Sequence, residues 1–134
     1  MASRSTEATE AAEAHLRKAR RRLEASERLF GDGFHEDALS RAYYAMYHAA
    51  KACLILEGSS PKTHEGVISE FGRLFVLTGK VDAGLGRALS AAKEDREDSD
   101  YEVYAEIDEE EAERVLKEAQ NFLRTAEEIV GRKG

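Results

Sequence analysis

A single proline, Pro61, interrupts the 134 residues of this chain, and its ten glycines cluster at a few points. Since proline and glycine are the residues that most often end a helix, the sequence leaves room for long helices joined by short turns. Between these breaks apolar residues recur at steps of three and four, the period of a helix with one buried face. No alternating strand pattern is present. The sequence therefore predicts an all-α, up-and-down bundle of about five helices.

Turn and capping residues divide the predicted helices. The helices are expected at 6–30, at about 34–57, from Thr63 to Gly79, at about 82–104, and from Asp108 onward. Thr63 can cap the third helix, and Asp108 followed by Glu111 is a variant of the capping box. Residues 1–134 then form one helical domain with a core over about 6–130, which is long enough to bury an apolar interior without disulfides.

The formal charge of -7 is unfavourable for a protein that coats nucleic acid nonspecifically, because phosphate binding needs a basic surface. The charge is uneven, however, with a basic run at 17–22 and an acidic run at 108–113. The simpler interpretation is two solvated helix faces. A local basic groove for RNA is the alternative.

The lone cysteine, Cys53, excludes an internal disulfide and fits a reducing cytosol. No apolar stretch is long enough to cross a bilayer. We therefore expect a cytoplasmic protein without membrane attachment. None of the four histidines follows a glutamate by three positions, and the sequence has no zinc motif and no phosphate loop. No metal or other cofactor is expected.

The second helix places polar aromatic and charged side chains in an apolar run. Arg41, Tyr44 and His48 fall on one face, while Tyr43 and Tyr47 form a pair four residues apart. Burying these side chains is costly unless each polar atom has a partner. Aromatic residues at this spacing belong more often to the core than to a functional site. The helix is a candidate for function because several polar side-chain ends occur together in it.

An arginine continues the apolar stripe of the fourth helix. The stripe consists of Leu85, Leu89 and Ala92. Its next positions are Arg96 and Asp100, so we expect Arg96 to point into the bundle or across an interface, with Asp100 bracing it one turn away. Tyr101 and Tyr104 share a neighbouring face. An arginine that only fixes helix register is the simpler explanation of this pattern.

Three segments, taken in series, resemble a known family. They are Ala-Leu-Ser-Arg-Ala-Tyr-Tyr-Ala-Met-Tyr at 38–47, Lys-Thr-His-Glu-Gly-Val at 62–67, and Arg96-x-x-x-Asp100-Tyr101. In this order they resemble the HEPN domain of prokaryotes, over about residues 10–130. The resemblance implies a helical homodimer that pairs with a minimal nucleotidyltransferase as toxin and antitoxin. Active members of the family are metal-independent endoribonucleases that use an arginine followed by four to six residues and a histidine.

The sequence departs from that motif at its histidine, because Tyr101 stands five residues after Arg96. RNA cleavage needs a group that exchanges a proton near neutral pH, which imidazole does readily and a phenol does poorly. Taken with this departure from the motif, the resemblance implies a module that binds RNA or nucleotide near Arg96 and docks a nucleotidyltransferase, with weak catalysis or none. The alternatives are an active endoribonuclease toxin and a purely structural dimer.

The candidate site residues follow from these considerations. For catalysis they are Arg96 and Tyr101, with His48 or His64 as a substitute imidazole. For binding they are Arg96, Asp100, Tyr104, Arg41, Tyr44, Tyr47 and His64. By their position beside the motif, Tyr101 and Tyr104 are also candidate acceptors for adenylylation by the nucleotidyltransferase.

Overall fold

A computed structural model of the chain describes residues 2–102 and 106–133. Its helices are α1 (Ala2–Gly31), α2 (His35–Leu56), α3 (His64–Phe71), a π-helical turn (Gly72–Val76) that continues α3, α4 (Ala83–Tyr101) and α5 (Glu109–Lys133). The described residues include no strand. The predicted all-α bundle is confirmed.

α1 and α2 form a long antiparallel hairpin whose register is fixed by a buried polar contact. The turn between them contains Gly33, whose φ of 85° is in the left-handed region that glycine adopts without strain. The hydroxyl of Ser26 is fully buried and donates a hydrogen bond to the carbonyl of Ala38 at 2.6 Å. The same register brings His15 of α1 against His48 of α2.

α2 is the central helix, as its apolar character on most sides predicts, and it packs against α1, α3, α4 and α5. Its largest buried side chains are Leu39, Tyr43, Met46 and Leu54. Around it the core is closed by an aromatic cluster in which Phe71 lies 5.2 Å from Phe75 and 5.0 Å from Phe122, measured between ring centroids. Burying each such side chain contributes about 1.5–3 kcal/mol.

Both predicted helix caps are present. The Thr63 hydroxyl accepts a hydrogen bond from the backbone N–H of Gly66 at 2.9 Å, and the Asp108 carboxylate accepts one from Glu111 at 2.9 Å. Each bond satisfies a backbone donor that the first helical turn leaves unpaired. Because Thr63 fixes where α3 begins, it also fixes the position of His64, the first residue of α3.

The sequence predicts that the third helix runs as an α-helix to Gly79. In the structure the α-helical part ends at Phe71. At Gly72–Val76 it widens into a π-helical turn, in which the N–H of Leu77 reaches the carbonyl five residues earlier at 2.8 Å. Phe71 and Phe75 are stacked and buried beside this turn, while Leu77 is 82% exposed.

α4 ends at Tyr101, short of the predicted end at Tyr104, which lies outside the described residues. The buried side chains of α4 are Leu85, Ala88, Leu89 and Ala92. The predicted stripe therefore faces the core, and it leads along the same helix to Arg96. None of the described helices combines the length and apolar character needed to span a membrane.

Candidate functional site around Arg96

The guanidinium of Arg96 lies against two tyrosines of α2. Its central carbon is 5.5 Å from the ring centroid of Tyr43 and 5.4 Å from that of Tyr44, within the range of cation–π attraction. One terminal nitrogen donates to the Asp100 carboxylate at 2.8 Å, which confirms the predicted pair one turn apart. The charged end of the arginine is therefore held by rings below and a carboxylate at one edge.

A second nitrogen of Arg96 has no such partner. Among the described side chains, its Nε is the one buried nitrogen or oxygen atom without a hydrogen bond. Leaving a buried donor unpaired costs about 1–3 kcal/mol. The Arg96 side chain as a whole stays 19% exposed, so the guanidinium is partly enclosed and can still be reached from solvent. The unpaired donor is therefore buried, while other parts of the same side chain face solvent.

His64 joins this arrangement from the first turn of α3. Its Nδ1 is 2.6 Å from the hydroxyl of Tyr43, its ring stacks on Tyr47 at 4.3 Å, and the ring of Tyr44 meets it edge-on at 5.9 Å. His64 and Arg96 thus share the Tyr43 and Tyr44 rings as a platform. The structure places an imidazole beside the arginine although the motif position holds a tyrosine.

Both members of the His64–Tyr43 hydrogen bond are neutral near pH 7. Burial, followed by the positive charges of Arg96 and Lys93, lowers the pKa of His64. Burial raises the pKa of Tyr43, although Arg96 opposes that shift. A neutral hydroxyl can donate to Nδ1 or accept from it, so either tautomer of the imidazole satisfies the bond. When Nδ1 donates, Nε2 keeps a free lone pair.

An ion-pair network ties α3 to α4 beside the site. The ammonium of Lys93 lies 3.0 Å from a Glu65 carboxylate oxygen and 2.9 Å from one of Glu97. Glu65 directly follows His64 in the first turn of α3, and Glu97 directly follows Arg96 on α4. The bridge therefore links the backbone segments that carry the imidazole and the guanidinium.

The structure separates the remaining predicted residues. Arg41 is exposed and lines a groove against α1. His48 faces His15. Tyr101 is 84% exposed and forms neither a hydrogen bond nor a ring contact with the part of the chain that is described. Tyr104 lies outside that part. Of Arg41, Tyr44 and His48, only Tyr44 contacts Arg96 directly.

His15 is not among the site residues predicted from the sequence. Its Nδ1 lies 3.3 Å from that of His48, so one nitrogen must donate and the other accept. Burial and then the neighbouring His15 lower the pKa of His48 to about 4, and nearby Lys18, Arg22 and Lys51 act in the same direction. Burial, with Lys51 and Lys18, also lowers the pKa of His15. This is an uncharged pair in positive surroundings.

The rings form a continuous ladder across the face of α2. His48 contacts Tyr47 at 5.3 Å, and Tyr47 stacks on His64, whose platform carries Arg96. The described residues, these histidines included, contain no group of three or more side chains that could hold a metal ion. The ladder therefore offers aromatic faces, neutral imidazoles and one guanidinium.

Comparison with known proteins assigns the chain to a family. The model of the HEPN domain matches residues 12–129. The chain belongs to the HEPN family. The resemblance noted in the sequence is thereby confirmed, and it extends over the whole bundle from the middle of α1 to the end of α5.

Relatives of this HEPN domain occur in archaea. Two proteins of Methanocaldococcus jannaschii, named "Putative toxin MJ0142" and "Putative toxin MJ0605", are 38% identical over 108 residues and 40% identical over 101 residues. The matches cover 81% of this chain and 74% of the first protein, and 75% of both this chain and the second. A "UPF0332 protein" of Archaeoglobus fulgidus is 37% identical over 120 residues, which are 90% of this chain and 95% of that protein.

The His15–His48 pair predicts a loss of stability in acid. Because the pKa of His48 is lowered from 6.5 to about 4 in the folded state, the unfolded state binds the proton first as the pH falls. The free energy of unfolding should therefore decrease between pH 6.5 and pH 4. In urea titrations at several pH values, His48→Gln should lose less stability over this interval than the wild type.

A matched control separates this effect from the titration of carboxylates. His35→Gln removes a histidine that lies outside the pair, against Phe30, and should keep the acid dependence of the wild type. An identical pH dependence for His48→Gln and the wild type would contradict the assignment.

Proposed function

We propose that this HEPN domain is a toxin-like module that binds a phosphate group of RNA at Arg96. The observation that carries the proposal is the state of the guanidinium, which is fixed on Tyr43 and Tyr44, shares one edge with Asp100 and retains a buried Nε without an acceptor. Because Nε is buried, the proposal requires the side chain to rotate when an anion binds. The names of the Methanocaldococcus jannaschii relatives support the toxin-like character.

The chemistry of the site favours a phosphate attached to a base. Guanidinium is planar and presents its donors as a fork that matches two phosphate oxygens. Tyr44 and His64 are half-buried beside it, so each has ring surface on which an unpaired base can stack. A cation next to aromatic faces is the combination that binds single-stranded nucleic acid without reading its sequence. A net charge of -7 restricts such binding to a local site.

Arg96→Gln should weaken the binding of a short single-stranded RNA by about 10- to 100-fold, because a charge-assisted pair of hydrogen bonds is lost. Arg96→Lys should recover only part of the affinity, since an ammonium keeps the charge without the fork. Fluorescence anisotropy with labelled oligouridine measures the RNA affinity of both variants.

Arg114→Gln is the control for this measurement. It removes an arginine that is ion-paired with Asp95 and Glu118, and RNA affinity should remain at the wild-type level. Equal affinity of Arg96→Gln and the wild type, with both proteins folded by circular dichroism, would refute phosphate binding at Arg96.

The proposal includes an assembly. Family membership supports a homodimer that pairs with a minimal nucleotidyltransferase as toxin and antitoxin. Tyr101 is 84% exposed, which makes its hydroxyl accessible for adenylylation by such a partner.

Co-expression with a minimal nucleotidyltransferase encoded beside this chain should give a complex that co-purifies, and light scattering of the HEPN protein alone should give twice the mass of one chain. Adenylylation at Tyr101 would appear as an AMP adduct in mass spectrometry and should be absent in Tyr101→Phe. A monomer that never co-purifies with the nucleotidyltransferase would contradict this part of the proposal while leaving RNA binding open to its own test.

A second candidate function, endoribonuclease activity, is favoured by the position of His64. With Nδ1 donating to Tyr43, the free Nε2 can take the proton of a ribose 2′-hydroxyl. The 2′ oxygen then attacks phosphorus, the bond to the 5′ oxygen breaks, and the leaving oxygen takes a proton from water. The products are a 2′,3′-cyclic phosphate and a 5′-hydroxyl end. Arg96 stabilises the charge that develops on the phosphate.

This candidate predicts cleavage of oligouridine in the presence of EDTA, with 2′,3′-cyclic phosphate products. His64→Ala should abolish the cleavage because the proton acceptor is gone, whereas His48→Ala should retain it because His48 pairs with His15. Mass spectrometry of the products is the measurement. Intact RNA at high concentrations of the wild-type protein would exclude catalysis and leave binding as the function.

A further inference from the structure

A second cationic region lies in a groove between α1 and α2. The groove has a volume of about 630 Å³ and is lined by Arg21, Arg22, Arg28 and Arg41, with Glu24 as the one acidic side chain. Three of the four arginines, Arg21, Arg28 and Arg41, are exposed. α1 thus contributes three arginines to a concave surface, two of them from the basic run at 17–22, and α2 adds the fourth.

The positive charge of this groove is largely uncompensated. Glu24 is already paired with Arg28 at 2.7 Å. Arg21, Arg22 and Arg41 form no ion pair with residues 2–102 or 106–133. Like charges held together repel one another, so an anion bound in the groove would relieve the repulsion among these arginines.

The groove adjoins the Arg96 site through α2. Arg41 precedes Tyr44 by three residues, which is a rise of about 4.5 Å along the helix axis. Tyr44 lies under the guanidinium of Arg96. Residues three apart on a helix lie on the same face, so Arg41 and Arg96 both lie beside the half-buried Tyr44.

We propose that this groove binds consecutive phosphates of the same single-stranded RNA that engages Arg96. The inference rests on the proposed function, because it assigns the groove to the strand bound there. An open groove lined by exposed arginines suits a phosphodiester backbone, whereas a pocket for a small nucleotide is usually enclosed by apolar walls. One strand can thus contact both Arg41 and Arg96 beside Tyr44.

Variants matched in charge test the groove. Arg22→Gln with Arg41→Gln removes two groove arginines. Arg87→Gln with Arg124→Gln removes two exposed arginines of α4 and α5 and gives the same net charge. Both double variants are compared with the wild type in binding a 12-residue oligouridine and the dinucleotide UpU, whose single phosphate reaches only the Arg96 site. Circular dichroism establishes that each variant is folded.

The groove variant should bind the 12-residue RNA at least 10-fold more weakly than the control variant and bind UpU equally well. For the 12-residue RNA, the slope of log affinity against log salt concentration should be smaller in magnitude for the groove variant than for the control variant, by about 1.4. Each contacted phosphate of a single strand contributes about 0.7 to this slope, and two contacts are lost. Equal affinities and equal slopes for the two double variants would overturn the inference.

The remaining outcomes separate this inference from the proposed function. If UpU binds through Arg96 and the 12-residue RNA binds no more tightly than UpU, the groove assignment fails while the proposed function stands. If neither RNA binds the wild type, the proposed function fails. If inorganic phosphate or ATP binds the groove at concentrations that leave RNA affinity unchanged, the groove serves a free phosphate compound, and the inference is wrong.

Discussion

The contact between the Arg96 guanidinium and the rings of Tyr43 and Tyr44 is the interaction on which the site depends. Two cation–π contacts contribute about 0.5–1 kcal/mol each, and an exposed pair one turn apart, such as that with Asp100, adds about 0.3–0.5 kcal/mol. The unpaired Nε costs about 1–3 kcal/mol. These terms nearly cancel, so Arg96 gives the fold little net stability. An arginine that served only to fix helix register would be expected to stabilise the fold by more than this. The small net contribution of Arg96 therefore favours a role in binding.

The rest of the molecule holds the surroundings of that arginine. α2 is covered on most sides, and among its polar side chains Tyr44 and His48 are half-buried and Arg41 is exposed. The Thr63 cap and the ion pairs of Lys93 with Glu65 and Glu97 position His64 against Arg96. The Ser26 hydrogen bond sets the register that pairs His15 with His48. The site is therefore built from a rigid central helix and three neighbours, which restricts how far its aromatic faces can move.

Local patterns were sufficient to predict much of this structure. The Arg96–Asp100 pair and the cap at Asp108 each involve residues three or four apart, so helical geometry alone determines them. The contact between Tyr43 and His64 joins residues 21 apart, and it depends on how α3 docks on α2. The sequence named His64 as a substitute imidazole but offered no reason to prefer it to His48.

The π-helical turn and the groove could not be predicted for a related reason. Phe71 and Phe75 are four residues apart, which is also the spacing of an ordinary α-helix, so periodicity does not reveal the π-helical turn at Gly72–Val76. From the sequence alone, the basic run at 17–22 is interpreted as a solvated helix face. The structure shows that Arg41 of α2 lines the same groove. Antiparallel pairing of α1 and α2 converts a stripe of charge into a concave surface.

The most direct test of this account observes the Nε–H group of Arg96 by NMR in protein labelled with nitrogen-15. The resonance is assigned by its absence from the spectrum of Arg96→Lys. Because this donor lacks an acceptor in the free chain, its proton should move downfield when UpU is added to saturation, as a hydrogen bond to phosphate forms. A resonance that stays at the same position while UpU binds would show that the guanidinium is not the phosphate ligand, and the central claim would be wrong.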